Sequence, residues 1–247
     1  MASDIPGVDA SPVSRSNVDL VFRLLMGLVA GGAVFALISS VNPIFTVPDE
    51  YHIQGLGESA ERWQAFQQQQ FYANQKNAAV FLGVLGGLLA IVVTVRSHSS
   101  WSLMKRLVVS VPIGGVAGVV AGVVSAMLQA RFSSQGQMEL PQSTAVYAAM
   151  FGLLGAGLGL GVGLSFSSPF NQKVFVERLA TGLIMGAVAG AAYPLISSIL
   201  VPSANIEALF PAHAASLAIC LGLASAVLAM AVPVSRGVST GTAQAAA

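Results

Sequence analysis

Long apolar stretches alternate with short polar ones along this chain, and six of the apolar stretches approach the length of a membrane crossing. A helix needs about 20 predominantly apolar residues to span the hydrocarbon core, because it rises about 1.5 Å per residue and must satisfy its own backbone hydrogen bonds there. The segments 20–41, 78–95, 106–128, 144–166, 179–200 and 212–233 meet that requirement. Polar or turn-forming residues separate them, at Asn42-Pro43 and over 96–100, 133–137, 167–172 and 202–205. No segment shows the period-two alternation of a strand, and all are too long for one. The pattern therefore predicts an all-α protein, a polytopic transmembrane helix bundle of six spans.

The odd-numbered spans share a leading motif. Arg23-Leu24, Arg106-Leu107 and Arg178-Leu179 open them, and Gly31, Gly114 and Gly186 each fall eight residues after the arginine. The fourth position after it is small as well, with Gly27, Ser110 and Gly182. Each odd span is followed by a connection and a return span, so the chain reads as three tandem helical hairpins, an internal repeat. On this reading a tail, 1–19, precedes a first hairpin, 20–95, which holds a long external segment, 42–77. A second hairpin covers 96–172, a third 173–236, and a disordered tail 237–247. Chance recurrence of common small residues is the competing explanation of the motif.

Spacings of four place Gly27 and Gly31, then Gly114, Gly118 and Gly122, then Gly182, Gly186 and Gly190 on one face of each odd helix. Gly155, Gly159 and Gly163 do the same in the fourth span. Such stripes let backbones approach closely where lipid supplies no hydrophobic drive between helices. They predict close helix packing, within the bundle or against other membrane subunits or a second copy. The three arginines are expected to anchor their spans by snorkelling to the interface. Pro112 and Pro194 lie inside spans and are candidate kinks, since each removes a backbone donor.

Composition agrees with this class: 55% of residues are apolar and 9% charged, with a mean hydropathy of +0.76. The lipid bilayer is thus the expected surroundings. A formal charge of +1 and no basic arm give no support for nucleic-acid binding. The distribution of charge says more. Eight of the 11 basic residues (Arg15, Arg23, Arg96, Lys105, Arg106, Lys173, Arg178 and Arg236) fall at the two termini or in the second and fourth connections. Only Arg62, Lys76 and Arg131 occupy the other three connections, beside six acidic residues. The positive-inside rule then places both termini in the cytoplasm, as in a bacterial inner membrane protein. A cleaved signal peptide over 1–40 is a competing reading, opposed by Asp4, Asp9 and Asp19 in its long leading region.

Candidate chemistry is sparse. Cys220 is the single cysteine and sits inside an apolar run, and His52, His98 and His213 show no paired ligand spacing, so neither metal nor cofactor is expected. No acidic, basic or histidine residue lies mid-span, and no GxSG serine, aspartate pair, HExxH or phosphate-binding loop is present. GxG strings such as Gly155-Ala156-Gly157 lie inside apolar spans and read as packing glycines. The outline of three two-span hairpins resembles mitochondrial carriers, whose Pro-x-[Asp/Glu]-x-x-[Lys/Arg] signature the odd spans lack. Asn42-Pro43-Ile44 is similar to half of an aquaporin box, and no family is identified.

The segment 42–77 stands apart. From Glu58 to Asn77 it has no Gly or Pro, and Trp63, Phe66, Phe71 and Tyr72 interleave with the run Gln67 to Gln70. It predicts a helix at the outer interface or an outward extension of the second span, with Trp63 as an interface anchor. Three function classes follow. The first is a non-catalytic scaffold or accessory subunit. The second is a transporter or channel for a small neutral solute, which would need Ser39, Ser40, Thr94, Ser110, Ser125, Ser197 and Ser198 to line one pathway. An enzyme is the third and least supported, resting only on Asp49, Glu50 and His52.

Overall fold

A computed structural model describes residues 12–52, 59–95, 102–134, 138–166, 171–202, 209–211 and 213–231. The expected tail 237–247, most of the N-terminal tail and the loop positions Arg96 and His98 lie outside the described residues. Six long α-helices follow in order: α1 (Pro12–Val41), α2 (Ala60–Val95), α3 (Leu103–Ser133), α4 (Leu140–Phe166), α5 (Gln172–Leu200) and α6 (Ala214–Ala231). A single 3-10 turn, Asp49–Tyr51, precedes α2, and there is no strand among the described residues. All six helices are long and apolar enough to cross a membrane. The protein is a multi-pass membrane protein.

The helix starts follow from local sequence. Ser59 accepts from the Arg62 N–H, Ser102 from that of Lys105, and Asn171 from those of Lys173 and Val174. Before α4, the Gln142 side chain reaches back to the Glu139 N–H, half of a capping box. Each cap satisfies a donor that a helix end leaves open. α3 and α5 continue without a break through Pro112 and Pro194. The second helix is the longest, at 36 residues. At about 1.5 Å per residue it reaches about 54 Å, well beyond an about 30 Å hydrocarbon core. The polar half of segment 42–77 is thus a continuation of the second span.

The helices form a closed ring in which α1 packs on α2 and on α6, α3 on α2 and α4, and α5 on α4 and α6. α2 also touches α4 and α6 across the middle. Within the apolar windows of α2, α4 and α6, 56, 67 and 50% of residues are buried, against 28, 28 and 33% in α1, α3 and α5. The even helices are therefore the inner layer and the odd helices the outer one. Between them the core is filled by Phe81, Leu85, Leu89, Met150, Phe151, Leu154, Leu158, Leu221 and Leu228, none more than 1% exposed. The outer helices turn Val29, Val108, Val116, Ile184, Val188 and Ile199 outward, as a lipid-facing surface requires.

The three expected hairpins are all contacting pairs, yet the two most extensive contacts, α2 with α3 and α4 with α5, straddle them; α3 with α4, within the second hairpin, comes next, and α1 with α6 after it. Glycines explain why. Gly118 abuts the Leu82 carbonyl, and a methyl group on Gly114 would stand 2.5 Å from the Gly86 carbonyl oxygen. One on Gly122 would stand 2.6 Å from the Ala78 carbonyl. In the second pair Gly155 and Gly182 lie against each other, Gly186 against the Phe151 carbonyl, Gly190 against that of Tyr147, and Gly159 against that of Arg178. Gly163 faces the Phe175 ring. In the third pair Gly27 and Gly31 lie against Ser225 and Leu221. The stripes are thus occupied by backbones of this same chain.

Arg23, Arg106 and Arg178 are packed against the protein, only 6, 7 and 5% exposed. Arg106 donates from Nη1 to the Thr94 carbonyl in the last turn of α2, at 3.3 Å. A cation at a helix C-terminus complements both the open carbonyls and the negative end of the macrodipole. The Thr94 and Ser110 hydroxyls, hydrogen-bonded at 2.7 Å, tie α2 to α3 beside it.

Candidate functional site

Asn77 and the cap Ser59 bracket the polar first half of α2, and a second chain segment folds against it. The Asn77 carboxamide, 3% exposed, accepts from the Ile44 and Phe45 N–H groups at 3.1 and 2.9 Å and donates to the Phe45 carbonyl at 2.9 Å. Lys76 lies over the Phe45 ring, 5.8 Å from its centroid. Farther along, His52 bonds the Val47 carbonyl at 3.1 Å and meets Phe66 edge-on, with ring centroids 6.3 Å apart. Segment 42–52 is thereby pinned to α2 and becomes one wall of a collar. The Asn42-Pro43 peptide bond at its root is cis.

Three concavities open around this collar. One, of about 460 Å³, lies between segment 43–52 and α2 and is lined by Phe45, His52, Trp63, Phe66, Gln70 and Asn74 among others. A groove of about 600 Å³ runs on the other side of α2, where Gln64, Gln67, Gln68, Gln70 and Asn74 face Gln129, Ser133 and Ser134 of α3. The third, of about 280 Å³, is floored by Leu209 and Phe210 beneath Asn42, Asn74, Asn77 and Gln129. Asn74 lines all three, and among the described residues no Asp, Glu, Lys or Arg lines any of them. Carboxamides both donate and accept, so the collar offers uncharged two-way hydrogen bonding beside aromatic walls. The volumes fall in or near the usual ligand range of about 300–1,000 Å³.

Below the collar several buried polar side chains bond to one another. Tyr193 Oη and Ser216 Oγ are hydrogen-bonded at 2.7 Å, and Ser216 Oγ meets Ser197 Oγ at 2.6 Å. Tyr147 donates to the Leu209 carbonyl at 3.4 Å, and its ring packs against Tyr193 with centroids 4.6 Å apart. Phe210 stands edge-on to Phe81 at 5.5 Å, closing the floor. This cluster ties α4, α5 and α6 together beneath Leu209.

The residues expected from sequence fall in three places. The glycines lie in the helix pairs, and Pro112 borders an apolar lipid-facing hollow of about 410 Å³ with Ile113, Val116 and Leu153. Pro194 is buried in α5 near the tyrosine pair. Trp63 sits about 22 Å along α2 from Ala78 at about 1.5 Å per residue, and its indole, 47% exposed, meets Phe66 edge-on at 6.4 Å. It therefore serves the collar wall. The seven hydroxyls of the expected solute path are not brought together. Thr94 pairs with Ser110, Ser125 bonds back to Ala121, Ser197 joins Ser216, and Ser39, Ser40 and Ser198 are exposed. Among the described residues no group of three or more His, Cys, Asp or Glu is placed to hold a metal ion.

Asn74, Asn77, Gln129 and the pair Tyr147 and Tyr193 were not singled out by sequence, and Asn42 was noted only for its Asn-Pro-Ile string. Their signal is compositional: carboxamides crowd one stretch of α2, and two of the chain's four tyrosines sit inside spans. No family model, curated protein or solved structure matches this chain.

Proposed function

We propose that this chain is a non-catalytic membrane scaffold or accessory subunit: a rigid six-helix platform that presents the collar as its binding face. The filled space between the inner helices carries this reading. Phe81, Leu85, Phe151, Leu154 and Leu221, each at most 1% exposed, occupy the axis a solute would need. The glycine stripes support it too. They are used up in holding the platform together, which leaves the collar as the polar surface open to a partner.

The arginine-bearing end is assigned to the cytoplasm and the collar to the opposite side, because basic residues gather at the former. A bacterial inner membrane suits this polarity. The alternative, a transporter or channel for a small neutral solute, requires the inner helices to part. Proteoliposomes holding the purified chain decide between the two. Under the scaffold reading, shrinkage and swelling in glycerol or urea gradients match protein-free liposomes, whereas solute flux above that baseline overturns it.

A further inference from the structure

We propose that the cavity beside Trp63, Gln70 and Asn74 is a binding site for a neutral saccharide; this rests on the collar being the working face. Four observations converge on that ligand class. First, among the described residues that line it there is no Asp, Glu, Lys or Arg, and hydrogen-bonding carboxamides and aromatic rings dominate over the single imidazole of His52. Second, Gln70 and Asn74 line both the cavity of about 460 Å³ and the groove of about 600 Å³, joining them into one surface. Their carboxamides can each donate to one hydroxyl and accept from another, the two-way demand that a sugar makes.

Third, the indole of Trp63 is 47% exposed beside Phe66. An aromatic face with its negative quadrupole attracts the polarised C–H groups on the apolar side of a pyranose ring. Fourth, the wall facing Trp63 is held in place before any ligand arrives. Asn77 fixes Ile44 and Phe45, and His52 packs edge-on to Phe66. Preorganisation of this kind reduces the ordering cost of binding. The collar stands on an extended membrane helix, so the sugar can come from a glycolipid headgroup or from a free oligosaccharide. The chemistry recognised is the same.

The test uses the full chain in nanodiscs with Trp101→Phe, which leaves Trp63 as the single indole. Maltotriose, cellotriose, chitotriose and tetraglycine are titrated against its fluorescence. The expected result is a saturable change with at least one trisaccharide below about 10 mM and at least tenfold weaker binding in Gln70→Leu and Asn74→Leu. Both positions are exposed, so helical content by circular dichroism should match the parent. The trisaccharide titration is then repeated in nanodiscs containing digalactosyl diacylglycerol. Competition from the glycolipid assigns the headgroup as the source, and its absence assigns the free sugar.

Three results overturn the proposal: no saturable change with any trisaccharide and no response to the glycolipid, binding unaffected by either leucine variant, or a response to tetraglycine tighter than to every sugar. The scaffold reading fails separately, on solute flux.

Discussion

Replacing Gly122 with alanine tests the close approach of α2 and α3 directly. A methyl group there would stand 2.6 Å from both the carbon and the oxygen of the Ala78 carbonyl and 2.7 Å from the Ala79 nitrogen. Ordinary contact begins near 3.4 Å. All three obstacles are backbone, so no side chain can swing aside, and the two helices must separate by about 0.8 Å. A gap of that size forfeits roughly a quarter to a half of the dispersion energy at each opened contact, and overpacking typically costs about 1–3 kcal/mol. Alanine returns at most about 1 kcal/mol in helix propensity. With the full propensity gain, Gly122→Ala should therefore lose up to about 2 kcal/mol.

Gly32 is the matched control, since nothing lies within 4 Å of the position its methyl group would take. Gly32→Ala retains the propensity gain without the clash and should be neutral or stabilising by up to about 1 kcal/mol. The buried single cysteine, Cys220, 1% exposed, reports on both. Its labelling by a maleimide during an SDS titration follows loss of the fold. Equal midpoints for the two variants would refute the claim that glycine is needed where backbones meet.

Three further outcomes follow from buried hydrogen bonds. Arg106→Gln removes the donation to the Thr94 carbonyl and should lower stability by about 1.5–3 kcal/mol in the same SDS titration. Lys105→Gln, one residue away and exposed, should lie within about 0.5 kcal/mol of the parent. Asn77→Ala frees the Ile44 and Phe45 amides, which are 44 and 38% exposed by residue and so open to water. Hydrogen exchange at those two amides should rise at least tenfold while the unfolding midpoint of the bundle moves little. Tyr193→Phe keeps the ring against Tyr147 and removes one bond to Ser216. A loss of about 0.5–1.5 kcal/mol is expected, and it should vanish in a Ser216→Ala background if the bond is its source.

The spans were legible because membrane crossing is decided residue by residue, through length and apolarity, and 18-residue windows in all six helices satisfy it. The outward growth of α2 was foreshadowed by the absence of Gly and Pro from Glu58 to Asn77. Partner choice was not legible. The stripe Gly114, Gly118, Gly122 states that some backbone comes close, and periodicity within one helix carries no information about whose. Nor could the sequence distinguish an arginine at a helix start that reaches for water from one that folds onto a neighbouring helix end. That depends on the register of α2 against α3, which puts Thr94 beside Arg106. Gln129 entered the collar for the same reason. Only the antiparallel register of α3 brings it level with Asn74.

Helix registers also separate the two kinds of polar chemistry in this protein. Apart from Ser143, hydroxyls buried in the bundle close on one another or on backbone carbonyls, as Thr94 with Ser110, Tyr193 with Ser216 and Ser125 with Ala121 do. A satisfied pair stabilises one arrangement and has no capacity left over for a passing solute. Moving an inner helix to open a path would break these pairs and slide carbonyls such as those of Leu82, Phe151 and Tyr147 off the glycines they rest on. Gln64, Gln67, Gln68, Gln70 and Asn74 have the opposite character, facing an open groove with capacity to donate and accept. Substitutions inside the bundle should consequently register as stability, and those at the collar as binding. That separation lets each half of the molecule be tested without disturbing the other.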